Sequence, residues 1–132
     1  GHAIVWRAVG LDIDEILVRG HGAAAHGHVW LVQTETEIRT VDQERAVHTG
    51  LVAGRVAQLE WCRSTDVGID VSCATDDRLY RARRHTPLGR EVNPSTVHAD
   101  ATRLVRMHWR SIARLAPLLA EAGRLSPRRL PR

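Results

Sequence analysis

The chain has 132 residues, 43% hydrophobic and 26% charged, the balance of one globular domain that can bury a core without disulfide or metal support. No apolar run approaches the roughly 20 residues of a membrane span, and no signal peptide is read at the start. With the formal charge at +4 and only Cys62 and Cys73 as thiols, a secreted disulfide framework is excluded, and the expected setting is the cytoplasm with reduced cysteines.

All 19 basic residues are arginine. Such a bias raises the isoelectric point without implying a nucleic-acid role. The distribution says more. Residues 1–77 carry a net −6 and residues 78–132 a net +10, which suits an acidic partner or head-to-tail self-association.

In chain order, Gly1 and His2 read as the remnant of a tag, outside any site. Residues 3–11 are apolar and short, and periodicity leaves them open between a strand and one or two helical turns. Ile13, Ile16, Leu17 and Val18 predict a strand that ends in a glycine turn at Gly20. From Val29 to Thr40, β-branched residues alternate with Gln33, Glu35, Glu37 and Arg39, which predicts the clearest strand, long enough to turn back near 34–37. Asp42 is the expected N-cap of a helix running to about Arg63, with Val52, Val56 and Leu59 on one stripe. Gly50 and Gly54, one turn apart, allow another backbone to come close. Val67, Ile69 and Val71 predict a strand, 74–77 a turn, and Leu79–Arg84 the returning strand of a hairpin. Asn93-Pro94-Ser95 opens a last long helix, with a kink near 113–116 from Pro117 and a C-terminal cap at Gly123. One domain over 3–123 and a frayed basic tail over 124–132 complete the reading.

Three groups could carry chemistry. His21, His26 and His28 crowd a glycine-rich turn, but no fourth ligand stands near them, so solvated histidines are expected. Asp12, Asp14 and Glu15, and again Asp70, Asp76 and Asp77, could hold a cation or serve as acid and base, although their spacing also suits strand ends and a turn. Arg103, Arg106, Arg110 and Arg114 fall on one stripe of the last helix and are the expected binding residues. No phosphate loop, nucleophile elbow or activated thiolate is read, and no metal or other cofactor is expected.

The strand Val29-Trp30-Leu31-Val32, the helix from Asp42, the hairpin Val67–Arg84 and the helix after Asn93-Pro94 together resemble the bacterial secretion-chaperone-like proteins of the YbjN type. That resemblance implies an α+β fold, usually dimeric, that binds protein segments and catalyses nothing. A second resemblance is to a degenerate ribonuclease H-like domain: Ile16–Gly22 as first strand and turn, Gly50–Gly54 in the first helix, Ala74-Thr75-Asp76 as an acid motif. There His21 and Val47 replace two of the acids, leaving Asp76. A tight turn at Asp76 would favour the first resemblance, a strand end beside a second carboxylate the other.

The expected protein is thus α+β, an antiparallel sheet with two helices packed on one face. It is expected to be a small non-enzymatic, chaperone- or adaptor-like protein-binding module, a homodimer with a protein partner and no membrane association. The alternative is a ribonuclease H-like nucleic-acid-binding protein.

Overall fold

The computed structural model describes residues 1–20, 26–65 and 74–131. Its first element settles the open N-terminal segment: His2–Ala8 is a short helix, α1, that buries Ala3, Ile4, Val5 and Trp6. A helix apolar on every side must be enclosed, which is why no period could be read from it. Strand β1 follows at Ile13–Arg19, strand β2 at His26–Leu31, and the two pair antiparallel. A bulge between Ile13 and Glu15 interrupts the pairing. It shifts the alternation by one residue, so that Ile13 and Ile16, three apart, are both buried. Gly20 has a φ of +81°, the backbone of the expected glycine turn.

The strand expected over Val29–Thr40 stops at Leu31. β1 begins at Ile13, and the last ladder-like bond, from Val32 N–H to Asp12 O, exhausts the partner. Beyond it Glu35–Glu37 forms a 3₁₀ turn. The alternating Thr and Glu residues there are loop residues without a strand to pair with.

Helix α2 spans Val41–Thr65. Its cap is Thr40 rather than Asp42: Thr40 Oγ1 accepts from Gln43 N–H, and Gln43 Oε1 accepts from Thr40 N–H. This reciprocal pair is a capping box. Helix α3, Ala74–Arg84, replaces the expected strand Leu79–Arg84 and the turn before it. Asp76 and Asp77 lie in its first turn and Arg81, Arg83 and Arg84 in its last, the order a helix dipole favours. The strand expected at Val67–Val71 lies outside the described residues.

Helix α4, Pro94–Met107, starts as expected, with Asn93 Oδ1 accepting from Ser95 N–H at 2.9 Å. The last helix is not continuous. It breaks at His108, with φ −99° and ψ 13°, and resumes as α5, Trp109–Ala122. Pro117 sits inside α5, and the kink expected at 113–116 is not where the helix breaks. Pro117 is exposed, and its ring removes one backbone donor from the helix. Gly123 caps α5 with φ +73°.

The tail expected to fray is part of the fold. Arg124–Leu125 forms strand β3 on the other side of β1, giving the antiparallel order β2-β1-β3. Leu125 and Leu130 are buried, Val18 N–H bonds Gly123 O, and Arg7 donates to Pro127 O at 2.8 Å.

The class is α+β, with five helices and a three-stranded antiparallel sheet among the described residues. Helices α1 and α5 pack on β1, while α2 is the central helix against which α1, α3 and α4 lie. No described helix is long and apolar enough to cross a membrane.

Candidate functional site

The two glycines of α2 show where α1 comes closest. A Cβ on Gly50 would stand 2.0 Å from the Trp6 indole, and one on Gly54 2.0 Å from the His2 ring. The close approach expected at these glycines is therefore real, and side chains make it. Trp6 Nε1–H donates to Val47 O at 3.1 Å, and the His2 and Trp6 rings stack with centroids 5.5 Å apart.

His2 is thus packed into the fold and does not stand clear of it. Its Nδ1 lies 2.7 Å from Gly50 O and its Nε2 3.0 Å from Asp76 Oδ2. A carbonyl oxygen only accepts, so Nδ1 carries a hydrogen. Nε2 then faces a second acceptor. The contact with Asp76 is a hydrogen-bonded pair that ties α1 to α3. The pair is partly open, with side-chain exposures of 23% and 30%.

A cleft of about 320 Å³ is lined by neighbours of this pair and not by the pair itself. Trp6, one turn along α1 from His2, lines it, as does Leu79, one turn along α3 from Asp76. Val29 and Leu31 of β2 and Leu51 of α2 add to its apolar walls, and Arg83 and Glu35 also line it. Arg83 is held from behind. Its Nε and Nη2 donate to the two oxygens of Glu44 at 2.9 and 2.8 Å, and its Nη1 donates to Glu35 Oε1 at 2.7 Å. Glu44 also accepts from His48 Nε2–H at 2.9 Å. Burial holds the His48 imidazole below its ordinary 6.5, an effect that the neighbouring Glu44 only partly offsets.

The other expected groups do not converge. Asp76 sits in the first turn of a helix and not in a tight turn, and its neighbour Asp77 pairs with Arg55 at 2.8 Å. Asp12 bonds Gln33, and Glu15 pairs with Arg124 at 3.1 Å. His26 and His28 are exposed on β2, where His28 stacks on Trp30. His21, Asp70 and Cys73 lie outside the described residues. Among the described residues no three His, Cys, Asp or Glu side chains gather as a metal site would require.

No protein-family model, curated protein or solved structure matches the chain.

The four arginines are exposed but do not share one helix. Arg103 and Arg106 belong to α4, Arg110 and Arg114 to α5, and the break at His108 divides the stripe. Arg103 is already paired with Asp100 at 3.4 Å. The charge asymmetry is partly used inside the fold, since Arg83 and Arg124 of the basic half meet Glu35, Glu44 and Glu15 of the acidic half. Sequence reasoning missed His2 and Arg83. The glycine pair was a signal that something enters the α2 surface, but no local pattern says that it is His2. Arg83 was hidden by the misread strand.

Proposed function

We propose that the chain is a small non-enzymatic, chaperone- or adaptor-like protein-binding module, a cytoplasmic homodimer. The observation that carries this reading is β2, which among the described residues pairs only with β1 and exposes Trp30 and Val32. Free strand edges invite pairing with another chain.

The test is sedimentation at rising concentration: a dimer is expected at micromolar concentration, and a strict monomer would end this reading.

Nucleic-acid binding through Arg106 and Arg110 is the alternative. It requires steep loss of affinity with salt, and that affinity should vanish in an Arg106→Glu, Arg110→Glu protein.

A further inference from the structure

We infer that the outer face of α4 and α5 binds an acidic helix of a partner protein, with Met107 as the apolar anchor and Arg103, Arg110 and Arg114 as the groups that meet its carboxylates. This rests on the protein-binding part of the reading above and names the chemistry of the partner, yet it involves neither Trp30 nor Val32.

The face is a single stripe. Arg103, Met107, Arg110 and Arg114 follow one another at intervals of four, three and four residues, the spacing that keeps side chains on one side of a helix. The break at His108 does not undo it. His108 N–H bonds Leu104 O and Ile112 N–H bonds His108 O, both at 3.0 Å, so helical hydrogen bonding carries on through the break. Leu104, Val105, Ile112 and Leu115 anchor the inner side of the same stretch in the core. Met107 is left facing outward, 63% exposed, more than any other large hydrophobic residue among the described ones. The arginines around it are exposed as well.

This pairing of residue types favours a protein. Met and Arg are both enriched where proteins meet, and binding there concentrates on an apolar anchor whose surroundings shut out water. The flexible thioether adapts to the side chain set against it. The charge asks for acid. Arg106 and Arg110, and again Arg110 and Arg114, are like charges four residues apart, an arrangement that weakens a helix until something negative lies across it. Their planar forks receive carboxylates with two parallel bonds. The spacing of the stripe matches the anchors by which one helix lies along another. Nucleic acid fits less well, because Met107 offers a phosphate nothing and Asp100, which shares Arg103 at 3.4 Å, repels it.

The probe is a fluorescein-labelled, alanine-rich helical peptide with one leucine and three glutamates on one face, titrated with the full chain and followed by anisotropy. It should bind at micromolar concentration, and the same peptide with glutamine for glutamate about ten-fold more weakly, since charge-assisted bonds are roughly twice as strong as neutral ones. Met107→Gln keeps the helix and every charge, so it should weaken the peptide several-fold and leave the affinity for single-stranded or duplex oligonucleotides unchanged. Arg110→Glu should weaken the peptide about ten-fold by setting like charges against each other. No peptide binding at millimolar concentration, an affinity unmoved by Met107→Gln, equal binding of the glutamine peptide, or an oligonucleotide bound more tightly than the acidic peptide would each overturn the proposal. Both variants leave β2 as it is. Failure of peptide binding therefore leaves a dimer seen in sedimentation standing, and a strict monomer that binds the peptide leaves this result standing.

Discussion

Arg83 of α3 grips the buried carboxylate of Glu44 on α2 with two parallel donors, at 2.9 and 2.8 Å. The contact ties two helices together around a charge that water scarcely reaches, the Glu44 side chain being 3% exposed. Removing Arg83 leaves the Glu44 carboxylate buried with, among the described residues, only the His48 ring N–H to answer it. Arg83→Met should therefore cost about 3–5 kcal/mol in urea denaturation, while Arg83→Met with Glu44→Leu should recover most of the loss.

The Tyr80 hydroxyl is buried with no hydrogen-bond partner among the described residues, while its ring meets His48 and His98 edge-on. Phenylalanine keeps the ring contacts and removes the unmatched group. Tyr80→Phe should raise stability by about 1 kcal/mol, measured as an upward shift in melting temperature.

The two α2 glycines should respond differently to alanine. Gly50→Ala drives a methyl into an indole anchored on Val47 O, and should destabilise by about 1–3 kcal/mol despite the better helix propensity. Gly54→Ala meets the His2 ring, which is partly exposed and can swing away. Its stability should change little, and denaturation of both variants gives the contrast.

Stability should fall as pH drops below 6.5. His48 is held below that ordinary value by its burial, with Glu44 opposing and Arg83 and Arg84 adding to the shift. The unfolded chain therefore takes up a proton at a pH where the folded one does not. The contribution is complete above 6.5 and is lost as pH falls toward the folded value, with a slope of at most about 1.4 kcal/mol per pH unit. Urea midpoints from pH 4.5 to 8 should show a steeper decline in the wild type than in His48→Gln.

Deleting residues 124–131 should destabilise by about 3 kcal/mol or more, because Leu125 and Leu130 both leave the core. An unchanged thermal midpoint would mean that the tail is frayed after all.

What could be read from the sequence follows the range of the forces involved. β1, the body of α2, the Asn93 cap and the Gly123 cap were legible, because hydrophobic period and capping chemistry are written in neighbouring residues. The capping box Thr40–Gln43 and the acid-to-base order of α3 were also written there, but Asp42 and the turn-like acids drew the reading away. The Thr–Glu alternation after Leu31 misled because a strand needs a partner as well as a pattern. The His2–Asp76 pair and the Arg83 clamp join residues far apart in the chain, and nothing local announces such meetings.

The sheet also sets an order of events. β1 lies between β2, which follows it directly, and β3, whose Leu125 meets Ile16. One side of β1 can close as soon as the first hairpin forms. The other must wait until the residues around Leu125 have been synthesised, and closing so long a loop is slow as well as late. During translation the nascent chain therefore displays an unmatched β1 edge beside Ile16. That interval is when the polypeptide is most open to capture by another strand or by a folding helper.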